Sequence, residues 1–91
     1  LSENHPNLAE TYYNIGGLYE DIDDYAKALE FHEKALQIRQ RTLPSEHPYI
    51  CESYNKVGST ALKLGNVAKA LELQEKALEI REKSLPANHP D

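Results

Sequence analysis

Several features on which many proteins depend are scarce or missing in this chain of 91 residues. It contains one cysteine, Cys51, which excludes an internal disulfide framework and favours a reducing compartment, for which we expect the cytoplasm. No apolar run exceeds three residues, whereas a membrane-spanning helix needs about 20. Asp and Glu number 15 against 10 Lys and Arg, and no basic run occurs, so we expect neither a membrane nor a nucleic acid as partner.

The length of the chain predicts a single domain over residues 1–91. A chain this short buries only roughly 60–65% of the surface of its unfolded form, which leaves no room for a deep, enclosed active site. The first residue is Leu1 rather than Met, and we expect the chain to be a piece of a longer protein.

The sequence repeats itself with a period of 42 residues. Residues 5–46 and 47–88 share 18 identities without an insertion or deletion, and the longest shared run is Ala-Lys-Ala-Leu-Glu at 26–30 and 68–72. Residues 89–91 begin a third, truncated repeat. A fixed period of this length is typical of repeat architectures, in which each unit buries its apolar face against the next.

The first repeat is predicted to fold as two helices. Apolar residues three or four positions apart define one face of the first helix, namely Leu8, Tyr12, Ile15, Tyr19 and Ile22. Pro6 suits its first position, because the N–H that proline lacks is unpaired there. Asp24 is a suitable N-cap for a second helix that ends near Arg41, because its carboxylate can accept backbone N–H groups of the first turn.

The second repeat shows the same pattern. Its first helix, starting at Pro48, has the corresponding apolar face Ile50, Tyr54, Val57, Ala61 and Leu64. Gly65 and Asn66 predict the turn, and the second helix is expected from Val67 to about Lys83. Because no segment alternates with a period of two, we expect an all-α fold, a helix-turn-helix solenoid with four helices and no sheet.

Small residues recur inside the predicted helices. Gly16 and Gly58 occupy the same register, although glycine costs roughly 1 kcal/mol relative to alanine in a helix interior. A close approach of a neighbouring backbone explains this repetition better than chance. We expect the same role for the alanines of the second helices, Ala28, Ala35, Ala70 and Ala77.

These residues resemble the tetratricopeptide repeat (TPR) family, whose pattern is an aromatic residue, an aliphatic residue followed by Gly, a Tyr and a later Ala. The matching positions in the two repeats are Tyr12, Ile15, Gly16, Tyr19 and Ala28, and then Tyr54, Val57, Gly58, Ala61 and Ala70. His32 and Gln74 replace the late aromatic residue of the family. The long period and the recurring Leu-Pro-x-x-His-Pro connector are similar to the kinesin-light-chain type of this repeat.

The resemblance implies a protein-binding role for the first helices, which line the concave side of the solenoid. By motif match, the groove residues are Glu10, Tyr13, Asn14, Gly17, Glu20, Asp21, Glu52, Asn55, Lys56, Ser59, Leu62 and Lys63. The asparagines can hydrogen-bond a peptide backbone as donor and acceptor. Kinesin-light-chain repeats suggest acidic, aromatic-containing peptides as ligands, but the acidic residues Glu10, Glu20 and Asp21 do not favour such a ligand.

The other candidate residues are predicted to have structural roles. His5, His47 and His89 recur with the repeat, but equivalent points of a solenoid lie too far apart to share a metal ion, so we expect no metal and no cofactor. His32 is expected near the packing face and Cys51 as a small packing residue. Four acidic residues, Glu20, Asp21, Asp23 and Asp24, lack the spacing of a calcium loop and predict a solvated turn. No catalytic motif supports an enzyme.

Two functions remain open on the sequence. The first is a non-catalytic scaffold whose groove binds a peptide or a partner protein. The alternative is a structural module that self-associates by head-to-tail stacking or by helix exchange, through an apolar last helix that carries Leu71, Leu78 and Leu85. Residues 5–46 carry 8 acidic and 4 basic residues (net −4) and residues 47–88 carry 5 and 6 (net +1). This asymmetry favours head-to-tail stacking or reflects ordinary divergence between the repeats.

Overall fold

The computed structural model describes residues 6–84. Its four helices are α1 (Pro6–Asp21), α2 (Tyr25–Thr42), α3 (Pro48–Lys63) and α4 (Val67–Ser84), and the described residues contain no strand. The all-α fold with two helices in each repeat is therefore confirmed. None of these helices has the length and apolar character needed to cross a membrane. Leu85 and residues 89–91, which include His89, lie outside the described residues, as does His5.

Each repeat forms a helical hairpin. The turns 22–24 and 64–66 are only three residues long, so the two helices that each turn joins run antiparallel. Asp23 (φ 63°) and Gly65 (φ 85°) occupy equivalent positions and adopt the left-handed conformation that reverses the chain. The next residues cap the following helix, because Asp24 accepts from the N–H of Lys27 and Asn66 from that of Lys69. The N-cap predicted at Asp24 is confirmed.

The hairpins pack side by side, with α2 against α3. Four buried side chains form the apolar cluster that joins them: Leu36, Ile50, Val57 and Leu73. The predicted alanines Ala28, Ala35, Ala70 and Ala77 are all buried. Two residues of the predicted apolar faces behave differently: Ile22 and Leu64 are 70% and 46% exposed, because both lie in the turns after α1 and α3 end.

Candidate functional site

Polar side chains of α1 and α3 line two adjoining cavities on one side of the molecule. The larger cavity, about 970 Å³, lies between α3 and α4, and its polar lining includes Glu52, Asn55, Lys56, Ser59, Gln74, Arg81 and Ser84. The smaller, about 400 Å³, lies where α1 and α2 meet α3 and is lined by Asn7, Glu10, Tyr13, Asn14, Arg39, Thr42, Leu43, Tyr49 and Glu52. Tyr13 and Glu52 line both, so the two cavities adjoin along the first helices, and we refer to them together as the groove.

Seven of the twelve residues predicted for the groove line one of these two cavities: Glu10, Tyr13, Asn14, Glu52, Asn55, Lys56 and Ser59. The other five do not. Glu20 lies between the two hairpins, and Lys63 lies with its ammonium 5.2 Å from the ring of Tyr25. Gly17 is half-buried, and Asp21 and Leu62 are exposed outside both cavities.

Arg39 is a buried residue in the lining of the smaller cavity. Arg39 is 5% exposed, and Nη1 lies 3.1 Å from the backbone oxygen of Tyr49, 3.2 Å from Glu52 Oε1 and 2.9 Å from Ser53 Oγ. The rings of Tyr13 and Tyr49 lie 4.9 and 5.0 Å from it. One cation therefore links α1, α2 and α3 and fixes the spacing of the groove walls.

Glu20 joins the two hairpins through a second set of polar contacts. Its carboxylate accepts a hydrogen bond from Thr60 Oγ1 at 2.9 Å and lies 3.4 Å from Lys56 Nζ. Thr60 is fully buried, and its single hydroxyl proton has two acceptors within the protein, the Glu20 carboxylate and the backbone oxygen of Lys56 at 2.7 Å. The expectation of a solvated acidic turn is therefore wrong for Glu20, although Asp21 and Asp23 are exposed.

His32 lies behind the groove at the contact of α2 with α1. It is 1% exposed, and neither ring nitrogen has a hydrogen-bond partner among the described residues. Nε2 lies 3.7 Å from Glu20 Oε2, and the ring of Tyr13 packs edge-on against the imidazole. Burial lowers the pKa of His32 below its ordinary value, and the Glu20 carboxylate opposes that change. His32 is a packing residue, as predicted.

Tyr13 is affected by the same environment. Burial raises the pKa of its hydroxyl, and the carboxylate of Glu52 raises it further, whereas Arg39 opposes the rise. The hydroxyl therefore stays protonated at neutral pH and can donate to the neighbouring Glu52 carboxylate.

The remaining candidates have structural positions. His47 is the N-cap of α3 and accepts the N–H of Tyr49 through Nδ1. Cys51 is buried between α3 and α4, which confirms its packing role. Within residues 6–84, no three His, Cys, Asp or Glu side chains are grouped so that they could hold a metal ion.

The sequence analysis did not include several lining residues in the groove, among them Arg39, Gln74 and Arg81. The signal for Arg39 and Arg81 was present, because the Ile-Arg pair recurs at 38–39 and 80–81. Both residues belong to second helices, which the motif match did not include in the groove.

The fold and the groove define a class of protein, the α-solenoid built from stacked helical hairpins. The tetratricopeptide repeat family model matches residues 8–49 and 50–91, and the chain belongs to that family. The 42-residue period and the structural neighbours are those of the kinesin-light-chain-like type of repeat. TPR repeats generally act as protein-interaction modules.

Solved structures of this type superpose well on the chain. One is a putative kinesin light chain of Podosopora anserina with nearly identical TPR-like repeats, at a TM-score of 0.83 and 29% identity, over 99% of this chain and 43% of that one. Another is BtubC (BKLC) of P. vanneervenii, with a TM-score of 0.83 and 27% identity. The match covers 98% of this chain and 35% of that one. The chain thus spans less than half the length of these neighbours. No curated protein matches the sequence.

Proposed function

We propose that this chain is a non-catalytic protein-interaction module whose groove along α1 and α3 binds an extended peptide or a segment of a partner protein. The observation that carries the proposal is that two cavities adjoin along the first helices and share Tyr13 and Glu52 as lining residues. Two adjoining cavities on successive repeats suit an extended chain better than a compact small molecule. A cytoplasmic partner fits the single, buried cysteine.

The groove offers a distinct chemistry at each end. Asn14 and Asn55 each present an amide that can donate to and accept from a peptide backbone. The larger cavity has Lys56 and Arg81 beside Glu46 and Glu52 and can accept an acidic side chain. The smaller cavity has Glu10, Glu52 and one buried cation, Arg39, and favours a basic side chain. We therefore propose a ligand that carries both signs of charge rather than a purely acidic peptide.

A display library of random peptides, selected on the immobilised chain, tests the proposal. Peptides that the chain enriches should bind the Asn55→Ala variant about tenfold more weakly, which corresponds to about 1.4 kcal/mol. The urea midpoint of that variant should be unchanged, because the contact of Gln74 with Asn55 uses the backbone oxygen, which alanine retains.

Gln37→Ala is the matched control, because Gln37 is an exposed amide that lines a separate surface depression with Tyr12 and Arg41. It should leave the affinity unchanged. Failure of the library to yield any specific peptide, or equal losses for the two variants, would refute binding in the groove.

A further inference from the structure

A carboxylate of α1 lies between polar groups of the two neighbouring helices. Glu20 Oε2 lies 2.9 Å from Thr60 Oγ1 of α3 and 3.7 Å from His32 Nε2 of α2. The other oxygen, Oε1, lies 3.4 Å from the ammonium of Lys56 on α3. The His32 imidazole is 1% exposed and has no hydrogen bond to any of residues 6–84. Buried polar atoms without a partner are rare in folded proteins, so this imidazole needs a physical explanation.

We propose that Glu20 exchanges partners when His32 takes up a proton. While the imidazole is neutral, the carboxylate of Glu20 holds the ammonium of Lys56. Once the imidazole is charged, the carboxylate moves to it and releases the ammonium, a movement that we call the carboxylate exchange. The released ammonium binds an acidic side chain of a ligand in the groove, so that proton uptake regulates that end of the groove. This last step rests on the proposed peptide binding, whereas the carboxylate exchange takes place within the chain and does not.

The present partners of Glu20 do not depend on its carboxylate. Thr60 has a second acceptor, the backbone oxygen of Lys56 at 2.7 Å, so its buried hydroxyl stays paired when the carboxylate leaves. The side chain of Lys56 is 40% exposed, and water can solvate its ammonium. Ion pairs in such a position are weak, because solvent screens them. The carboxylate can therefore leave both groups without leaving a buried polar group unpaired.

The charged imidazole, by contrast, would have one counter-ion. The titratable and charged groups around it are Glu20 and Tyr13 on α1, Arg39 on α2 and Lys56 on α3. Tyr13 is a neutral phenol and two of the others are cations, so Glu20 is the only anion of this set. A buried charge is costly unless it is paired. The 3.7 Å between Glu20 and His32 exceeds the length of a charge-assisted hydrogen bond by about 1 Å, which a rotation of the glutamate side chain can close.

Lys56 faces the groove, where its ammonium can meet a ligand. It lines the larger cavity with Asn55 and Ser59. Its counterpart one repeat earlier, Asn14, lines the smaller cavity, although there the next hairpin is packed in place. A hairpin that follows α4 would therefore leave position 56 in the groove, as α3 leaves position 14. The ammonium of Lys56 thus has two competing partners, the carboxylate of Glu20 and an acidic side chain of a ligand.

The imidazole and the carboxylate occur together in the first repeat and are absent together from the second. One repeat later Gln74 replaces His32 and Leu62 replaces Glu20. Leu62 is exposed, and Gln74 donates to the backbone oxygen of Asn55. The second repeat therefore has neither the group that takes up the proton nor its counter-ion, and the carboxylate exchange belongs to the first repeat.

The sign of the regulation follows from linkage. A ligand carboxylate bound to Lys56 frees Glu20 for the charged imidazole and so favours the protonated form of His32. By reciprocity, protonation of His32 strengthens the binding of an acidic ligand by the same factor. Affinity for an acidic ligand should therefore rise as the pH falls through the pKa of His32, which burial places below its ordinary value of 6.5.

An NMR titration of the chain without a ligand, from about pH 7.5 to about pH 4.5, tests the carboxylate exchange. The Cε and Nζ signals of Lys56 should shift with the midpoint of the His32 ring signals. Lys63 is the matched control on the same helix, because its ammonium lies 5.2 Å from the ring of Tyr25, and its signals should not follow that midpoint. In Glu20→Gln the ring midpoint should fall and the Lys56 signals should lose their step, since no carboxylate is left to move.

Three results would overturn the carboxylate exchange. The first is a Lys56 signal that ignores the midpoint of His32 in the wild type. The second is a step that follows His32 in Glu20→Gln as well, because it would then arise from the imidazolium charge alone. The third is an imidazole that stays neutral until circular dichroism shows that the chain unfolds.

Binding of a fluorescent tetraglutamate peptide, measured by anisotropy, tests the regulation of the groove. Its carboxylates stay largely ionised down to about pH 5, because the pKa of Glu is about 4.3. The wild type should bind it about fivefold more tightly at about pH 5 than at about pH 7.5, a factor within the range of coupled sites. His32→Gln should lack this gain, and Lys56→Gln should bind weakly at both pH values. Lys63→Gln removes the same charge from the same helix and should behave like the wild type.

The two measurements separate the two steps. An equal pH dependence in the wild type and in His32→Gln would overturn the regulation of the groove by His32. If tetraglutamate binds neither protein at either pH while the Lys56 signals follow His32, the carboxylate exchange stands and the proposed binding of an acidic side chain in the groove is wrong.

Discussion

A Cβ atom on Gly16 would lie 2.7 Å from Cε1 of His32, closer than such atoms approach in folded proteins. The close backbone approach predicted at both glycines is therefore wrong for Gly16, where the near atoms belong to the His32 side chain. Gly58 at the equivalent position faces Gln74 Nε2 at 3.2 Å and the backbone oxygen of Ala70 at 3.3 Å. Glycine at this position leaves space for the side chain of His32 or Gln74, the residues that replace the late aromatic residue of the family pattern.

Gly16→Ala is expected to lower the free energy of unfolding by about 1–3 kcal/mol, the usual cost of overpacking. Gly17→Ala is the matched control, since nothing lies within 4 Å of its Cβ position, and it should raise stability by up to about 1 kcal/mol through helix propensity. Urea denaturation of both variants measures the difference.

In a His32→Gln background the cost of Gly16→Ala should shrink, because a flexible side chain can move aside as Gln74 can at Gly58. An equal cost in the two backgrounds would show that the imidazole is not the obstacle.

Arg39→Ala is expected to cost about 2–3 kcal/mol, because it removes charge-assisted hydrogen bonds and leaves the buried hydroxyl of Ser53 without this partner. Arg81→Ala changes the same repeat position on an exposed surface and should alter stability by less than about 0.5 kcal/mol. Urea denaturation at one low protein concentration keeps self-association out of the comparison. Equal effects of the two variants would contradict the role assigned to Arg39 in holding α2 to α3.

Asp23→Gly is expected to stabilise the chain by about 0.5 kcal/mol, because Asp23 has a φ of 63°, which glycine adopts without strain. The gain is limited by loss of the hydrogen bond that Tyr25 donates to the Asp23 carboxylate. The reverse change, Gly65→Ala at φ 85°, should destabilise by about 1 kcal/mol. Thermal unfolding of both variants provides the measurement, and a destabilised Asp23→Gly would show that the hydrogen bond outweighs the strain.

Local patterns were sufficient to predict the helices, their caps and the buried alanines. Helical periodicity identified Ile50 and Val57 as core residues, and the Asp24 N-cap follows from the chemistry of one side chain. The prediction that Ile22 and Leu64 lie on the packed helix faces was wrong. The apolar period continues past the end of a helix when the following turn also contains an apolar residue.

The contacts between hairpins could not be predicted in the same way. Burial of Arg39 depends on Ser53 and the backbone of Tyr49, residues 10 to 14 positions away whose approach is set by packing of α2 on α3. The pairing of Glu20 with Thr60 spans 40 residues and does not recur, because its counterparts are leucines. The groove residues Asn14 and Asn55 were found through the family motif, which encodes the three-dimensional arrangement.

Stability should depend on pH through His32. Burial lowers the pKa of His32 in the folded state, and the charges of Lys56 and Arg39 lower it further, whereas Glu20 opposes the change. The ring of Tyr13 packs against the imidazole as well. The unfolded chain has the ordinary value of 6.5, so below that pH it binds more protons than the folded chain. The contribution of neutral, buried His32 to the free energy of unfolding is therefore fully present above pH 6.5. It is lost as the pH falls through the pKa of the folded state.

His32→Gln removes this titration and introduces the residue found at the equivalent position, Gln74. The free energy of unfolding should fall more steeply between pH 7 and pH 5 for the wild type, by at most about 1.4 kcal/mol per pH unit for one proton. Urea denaturation at several pH values gives the two slopes, and the acidic residues common to both proteins cancel from their difference. Parallel slopes would mean that His32 takes up its proton in the folded state as easily as in the unfolded one, through the carboxylate of Glu20 at 3.7 Å.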